Sequence, residues 1–389
     1  MYDFVIIGGG LAGLTTAILL GKAGGKVLLL EKNQYPFHRV CGEYVSNEVL
    51  PFLESIGFYP FQWGAVAINR LLVTTPQGRA IELPLQSGGF GISRYLFDAQ
   101  LARIAAEHGV EVLQACSVES IEPREGYFKV VANKQRRWNA LWVVAAHGKR
   151  SALDKSLKRK FLAQRSPYVG VKYHIEIEHK QDLIALHNFE GGYCGISRIE
   201  ENKSCLCYLV TRQQLKKCGS IEQLERKILH QNPFLREIFS RASRLYSAPK
   251  VINEISFATK TVHENGILMC GDAAGMIAPL CGNGMAMAIR SGALLAGLLL
   301  QHQAGNISRT EVYQQYALQW RALFARRLWV GRQIQRFFGS TWLTEAFVSF
   351  FQTMPWLATW LVRQTHGAPF DRQTYVEDNQ QVYQSKLGS

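Results

Sequence analysis

The sequence predicts an α/β fold in which a parallel, helix-flanked sheet is interrupted by an antiparallel sheet and followed by a helical C-terminal region. Three observations predict it. A short apolar run breaks into clustered glycines at the start of the chain, a second apolar run breaks into a Gly-Asp turn near residue 270, and alternating apolar and polar residues lie between them. The 389 residues are 47% hydrophobic and 19% charged, too many for one small core and too apolar for disorder, so two lobes are expected.

Tyr2 to Ile7 reads as a buried parallel strand, and Gly8-Gly9-Gly10-Leu11-Ala12-Gly13 follows as G-x-G-x-x-G between strand and helix. Gly8 permits the tight turn, Gly10 lets a pyrophosphate approach the backbone, and Gly13 lets the helix pack close on the strand. From Leu11 and Ala12 to about Lys22, that helix aims its positive end at the phosphates. Lys26 to Leu30 forms the second strand and ends at Glu31, where a carboxylate accepts from both ribose hydroxyls of an adenosine. Lys32 beside it is counted with the same site. FAD and NAD both stay open here, because they share the ADP half.

Ile267 to Cys270 reads as another buried strand. It runs into Gly271-Asp272-Ala273-Ala274-Gly275, Pro279 and Gly282-Asn283-Gly284-Met285, then into a helix of small residues including Ala288, Ser291, Gly292 and Ala296. With both motifs in one chain, the sequence resembles the flavoprotein superfamily of aromatic hydroxylases, geranylgeranyl reductases and flavin halogenases. The resemblance implies a Rossmann-like FAD-binding domain of the glutathione-reductase type, hydroxylase-like, with an antiparallel β-sheet substrate domain and C-terminal helices. It implies noncovalent FAD, with Asp272 after Gly271 on the ribityl chain and the Gly282, Asn283, Gly284, Met285 turn against the flavin ring. A helix N-terminus facing N1 and O2 of the ring would stabilise negative charge there.

Tyr35 to Glu43 and Ser93 to Leu101 match the same superfamily. The match places Arg39 near the FAD phosphates and has Arg94 reach the cofactor as well, and Cys41-Gly42 resembles the Cys-Gly of geranylgeranyl reductases. Cys41 itself reads equally as a small packing residue or a reactive thiol. Val118 and Ala146 are carried over as further cofactor contacts. Where the superfamily ends a mid-chain strand with Asp-Gly, Leu141 to Ala146 gives the strand and His147-Gly148 the turn. His147 is assigned a hydrogen bond on the cofactor side and no proton transfer. NAD(P)H stands as a candidate electron donor whose usual motif is altered.

Because these motifs are scattered, the FAD domain is expected to be discontinuous, at 1–67, 90–160 and 255–305. The sheet domain takes 68–89 and 161–254, and 306–389 forms the helical region. Ile68 to Thr75 and Arg79 to Leu85 flank Pro76-Gln77-Gly78 as a hairpin, and Tyr168 to Val210 alternates like strands of an antiparallel sheet. Tyr193, in Gly191 to Gly195, is a substrate-pocket candidate or ordinary sheet packing. Trp320, Leu323, Val330, Ile334 and Phe337 share one side of a helix, opposite Arg321, Arg332 and Arg336. That stripe either faces the core or caps a substrate tunnel that touches anionic lipid.

Lys and Arg outnumber Asp and Glu by 44 to 30, a formal +14 that favours anionic partners: a phosphorylated cofactor, a lipid surface or nucleic acid. The sheet segments carry no aromatic and basic platform, so no nucleic acid is expected. Eight cysteines without a CxxC pair argue against zinc and a disulfide framework, and no metal is expected. With no leader before the glycine loop, the expected location is cytoplasmic, with peripheral membrane contact through the C-terminal helices left open. The foremost apolar candidate for a span, Phe347 to Val362, is broken by Gln352 and Pro355.

The leading functional expectation is an FAD-dependent oxidoreductase acting on a hydrophobic small molecule, geranylgeranyl-reductase-like. The alternatives are an FAD-dependent monooxygenase using O₂ and NAD(P)H, and a non-catalytic or RNA-binding flavoprotein. Cys41-Gly42 and Ser291-Gly292 lean towards the reductases. Glu43, where that branch carries another glycine, and His147 lean away. Halogenation fits less well, because no paired-tryptophan motif is present. No catalytic acid or base is assigned, since flavin itself performs the bond-making step in this chemistry.

Overall fold

The computed structural model describes residues 1–164, 167–278 and 282–371. Pro279 of the second motif, residues 372–389 and the side chains of Arg336 and Phe337 lie outside the described residues.

β1 (Tyr2–Ile7) runs into α1 (Leu11–Lys22), and β2 (Val27–Leu30) returns parallel to it with Val5 opposite Leu28. The chain leaves this layer through β3 (Tyr44–Ser46), α2 (Leu50–Ser55), β4 (Val66–Thr74) and β5 (Ala80–Gly91). It comes back with α3 (Arg94–Glu107), β6 (Glu111–Leu113), β7 (Val118–Pro123), β8 (Phe128–Ala132) and β9 (Arg136–Ala145). After α4 (Ala152–Ser156) it builds β10 (Tyr168–Glu176), β11 (Leu183–Phe189), β12 (Gly192–Arg198) and β13 (Ser204–Thr211). Three short helices follow, α5 (Arg212–Cys218), α6 (Ile221–Lys227) and α7 (Pro233–Arg241), then β14 (Ser243–Arg244) and β15 (Lys250–Ile255). β16 (His263–Glu264) and β17 (Ile267–Met269) rejoin the first layer, and α8 (Gly284–Gln303), α9 (Arg309–Phe337), α10 (Thr341–Thr353) and α11 (Pro355–Arg363) close the chain.

The first sheet has the order β16-β17-β9-β1-β2-β6, parallel from β17 to β6, with the β7–β8 hairpin attached to β9. Strands covered on both faces need no polar alternation, which is why β2 reads Val-Leu-Leu-Leu and is wholly buried. α1 and α8 touch through small residues: a Cβ on Gly292 would stand 2.6 Å from the Ala12 carbonyl oxygen. Among the described residues α8, and not Phe347 to Val362, is long and apolar enough to cross a membrane by length and composition. Most of its apolar window, 72%, is buried in the core.

The second sheet runs β14-β10-β13-β12-β11-β4-β5-β3, with β15 also on β10. It is not antiparallel throughout, because β4 and β11 pair in parallel, Leu72 opposite Ala185. It also recruits Tyr44–Ser46, assigned from the sequence to the FAD domain, onto Gly89–Gly91. Val169, Val171, Tyr173, Leu206 and Tyr208 turn one face towards α5–α7. With a period of two, the opposite face carries Lys172, His174 and Cys205 towards the first lobe.

Trp320 and Val330 on α9 are buried, Leu323 and Ile334 partly so, and Arg321 is exposed. Beyond α11 the chain straps back across α8. Arg290 donates to the Ala368 carbonyl at 2.8 Å, and Phe370 stacks on Phe52 with ring centres 5.2 Å apart.

Candidate functional site

The glycines of the first motif divide by what surrounds them. Gly8 has φ +105°, and a Cβ there would lie 2.4 Å from the Ala146 carbonyl oxygen; one on Gly13 would lie 2.0 Å from that of Gly8. Both serve the fold. A Cβ on Gly10 meets nothing nearer than an Arg94 guanidinium nitrogen at 3.7 Å, so the space before it is open. No side chain caps α1, and its first N–H groups, from Leu11 and Ala12, are left for an anion. Asp98, buried, grips both arginines beside this opening: Arg39 Nε at 2.8 Å, and Arg94 Nε and Nη2 at 2.6 and 2.8 Å.

Glu31 is buried and well engaged within the chain. Its oxygens accept from Gly9 N at 2.8 Å, Asn33 N at 2.9 Å, Asn33 Nδ2 at 2.8 Å and Arg39 at 3.2 Å. A ribose hydroxyl would have to displace or share one of these donors, so in this geometry Glu31 shapes the glycine loop and orients Arg39. Tyr35, the first residue of the Tyr35 to Glu43 stretch, donates to the Gly9 carbonyl at 2.5 Å. Lys32 is exposed at the rim. Val118 is buried on β7, two residues past Cys116, whose N–H donates to the Glu31 carbonyl at 2.8 Å.

The altered turn follows Ala146. His147 Nε2 lies 3.0 Å from Asp154, which also takes Arg159 at 3.0 Å and completes the capping box of α4. A carboxylate therefore stands near this turn after all, delivered seven residues downstream by a Ser151-x-x-Asp154 pattern visible in the sequence. Burial pushes the Asp154 carboxyl up, but His147 and Arg159 outweigh it and hold it at about 2. His147 Nδ1 is buried and has no partner among the described residues.

Gly271, at φ +62°, rests on α1: a Cβ would come 2.8 Å from that of Ala12. The Asp272 carboxylate takes no hydrogen bond from the described residues. Burial raises its pKa, opposed by Lys260, Arg94 and Lys149. Lys260 staples the two turns by donating to the carbonyls of Lys149 and Asp272, each at 2.7 Å. Gly282, at φ +67°, faces the Tyr44 ring, 2.9 Å from where a Cβ would be. Asn283 donates to the Thr365 carbonyl at 2.6 Å, and its Oδ1 is buried with no partner among the described residues. Gly284 and Met285 open α8, which like α1 has no side-chain cap.

This donor set fits FAD. The uncapped α1, Arg39 and Arg94 suit a pyrophosphate, the unengaged Asp272 suits a polyol, and the uncapped α8 suits an electron-poor ring. Asp272→Ala should therefore weaken FAD binding about ten- to a hundredfold, roughly 1.5 to 3 kcal/mol. Titrating apoprotein with FAD by fluorescence checks it, and unchanged affinity would show that Asp272 does not hold the cofactor.

Sequence reasoning missed a buried charged cluster at the join between the lobes. Glu43 sits at φ +56°, where a glycine is favoured, and its carboxylate accepts from Arg94 N at 2.7 Å, His174 Nε2 at 2.7 Å and the Lys172 ammonium. Lys172, wholly buried, also donates to the Arg39 carbonyl at 3.0 Å. Alternation along β10 puts Lys172 and His174 on one face, and their side chains meet the backbone and carboxylate of residues 39–43. Glu43, His174 and Cys205 bring ligand-type atoms within 4.8 Å of one another, and the cation that Glu43 meets there is the Lys172 ammonium. Cys205 donates to the Cys41 carbonyl at 3.3 Å. Burial raises the Cys41 thiol, with Arg94 opposing, so of its two readings the packing residue is favoured over an activated thiolate.

Between the second sheet and α9–α11 lies a cavity of about 790 Å³, its mouth included, walled by Leu71, Val73, Leu83, Ile334, Phe338 and Phe347 among others. Gly282 and Tyr44 also line it, so it reaches the turn at the start of α8. Tyr193 does not line it; the ring packs edge-on against Phe338, 6.3 Å between centres, behind the wall.

An FAD cradle joined to an apolar cavity defines a flavoprotein oxidoreductase. Residues 1–327 match the family model of the FAD binding domain, and the chain belongs to that family, within the superfamily of geranylgeranyl reductases and aromatic hydroxylases. The chain is similar to digeranylgeranylglycerophospholipid reductase 2 of Methanopyrus kandleri, 24% identical over 341 residues, 84% of this chain and 83% of the relative. The fold is similar to a flavin-dependent brominase (TM-score 0.78, 19% identity, 99% of each chain). It is also similar to a geranylgeranyl bacteriochlorophyll reductase-like protein from Thermoplasma acidophilum (TM-score 0.71, 22% identity, 85% of this chain and 87% of the other).

Proposed function

We propose that this enzyme reduces a carbon–carbon double bond of a polyprenyl, polyene or similarly apolar molecule held in the cavity, with NAD(P)H as the candidate source of electrons. The observation that carries the reading is an apolar cavity that ends at Gly282, on the turn assigned to the flavin ring. Bound FAD supplies the two-electron hydride couple. The chain's own part is to bind and orient the substrate with Leu71, Leu83, Phe338 and Phe347 and to exclude water.

The same helices support delivery from a bilayer surface. Trp342, Trp356 and Trp360 are 75%, 69% and 51% exposed, on α10 and α11, whose other faces wall the cavity. Exposed tryptophans with neighbouring Arg363 and a +14 net charge suit an interface bearing anionic lipid. A second reading, oxygen insertion, uses the same cavity, whose apolar walls exclude water equally well for either chemistry.

One experiment separates the readings. The holoenzyme is reduced chemically without air and mixed with a geranylgeranyl lipid in anionic or neutral vesicles, and flavin absorbance and product mass are followed. The expected result is anaerobic reoxidation with a gain of two hydrogens, faster with anionic vesicles. Reoxidation only after oxygen is admitted, with a product heavier by one oxygen atom, overturns the reduction reading. Equal rates with both vesicles overturn the anionic surface.

A further inference from the structure

The cavity has an apolar wall and one polar corner, and the corner lies at its flavin end. Tyr44, Thr365 and His366 build it, and the Thr365 carbonyl is the group that holds Asn283 beside Gly282. Two of the three have spent their hydroxyl protons. Tyr44 donates to the Gly88 carbonyl at 3.2 Å and Thr365 to the Val362 carbonyl at 2.7 Å.

His366 differs. Its Nδ1 lies 3.0 Å from the same Val362 carbonyl and 3.1 Å from Thr365 Oγ1. A carbonyl only accepts, so Nδ1 carries the proton, and in the neutral ring Nε2 carries the lone pair. Burial holds the imidazole below its ordinary value, with the Val362 carbonyl and Glu48 opposing and Arg327 adding to the effect. No group among the described residues bonds Nε2. The residue lies beyond the stretch matched by the family model, on the strap that follows α11.

We propose that His366 Nε2 is the acceptor for a hydroxyl on an otherwise apolar substrate, which places that O–H near the reacting carbon. The proposal rests on the cavity being the substrate site. A lone pair at a wall that sheds its water when an apolar molecule enters is costly unless the molecule brings a donor. A hydroxyl does so without charge, and among the described residues the wall offers no carboxylate to balance an ammonium.

The test uses the holoenzyme and two probes of matched shape, 4-octylphenol and 4-octyltoluene, titrated against the perturbation of flavin absorbance. The toluene-to-phenol ratio of dissociation constants should be about five- to tenfold higher in the wild type than in His366→Leu. His366→Gln, which keeps an acceptor, should retain most of that preference. The toluene affinity and flavin content of each variant report whether the cavity is intact. A ratio unchanged in His366→Leu, or a ratio in His366→Gln as low as that in His366→Leu, overturns the role of His366 as an acceptor and leaves the cavity standing. If neither probe perturbs the wild-type flavin, the substrate-site reading fails and the role of His366 with it.

Discussion

Gly10→Val should give a folded protein that carries almost no flavin. A Cβ there meets nothing within 4 Å among the described residues but the Arg94 guanidinium, so the apoprotein has little to rearrange. That space is where the uncapped N-terminus of α1 and the two arginines held by Asp98 converge, and where a pyrophosphate needs close approach to the backbone. FAD affinity is expected to fall at least about a hundredfold, roughly 2.7 kcal/mol, while the thermal midpoint of the apoprotein changes little. Gly8→Val provides the contrast, because its Cβ would press on the Ala146 carbonyl and its φ of +105° suits glycine alone. Flavin retained by purified Gly10→Val in a one-to-one ratio would sink the assignment.

Lys172→Met should be the most destabilising substitution outside the cofactor site. It strands Glu43 in a fully buried position, and breaking a buried pair from one side typically costs about 3 to 5 kcal/mol. Burial alone pushes the Glu43 carboxyl up, but Lys172 and His174 prevail and bring it down to about 2, below its ordinary 4.5. A carboxyl depressed on folding contributes stability that is complete above its ordinary range and is lost as pH falls towards 2. In Lys172→Met burial is no longer outweighed by Lys172, the Glu43 carboxyl rises, and its protonation relieves the stranded charge, so the loss relative to wild type should shrink as pH falls. Glu43→Gly combined with Lys172→Met should recover at least half of the loss, because it removes the stranded charge and relieves a positive φ. Chemical denaturation from pH 3 to 8 decides: single and double variants of equal stability would rule out a coupled pair.

The cluster shows where sequence legibility stopped. Glu43 stood out as a departure from a glycine position, and Lys172 and His174 as polar members of an alternating strand. Their meeting depends on how β10 docks against residues 39–43, a contact between segments 130 residues apart in the chain. His147 shows the same limit on a smaller scale. Its replacement of aspartate was visible, but Asp154 as its partner required the turn into α4 to fold back. Tyr193 was chosen from a motif on a sheet, and only the packing of Phe338 over it decided that it stands behind the cavity wall.

What the sequence determined by itself was local: strand, glycine turn and helix in succession, twice, with small residues where backbones touch. Those features depend on one residue's φ, one missing Cβ or one helix end, and neighbours in sequence suffice to encode them. Tertiary structure alone decided that Glu31 is drawn into the glycine loop, that β4 and β11 run parallel, and that His366, more than 80 residues on, comes to line the same cavity as Gly282. Each of these depends on distant segments burying the same surface, and burial is a property of the packed whole that no local pattern carries.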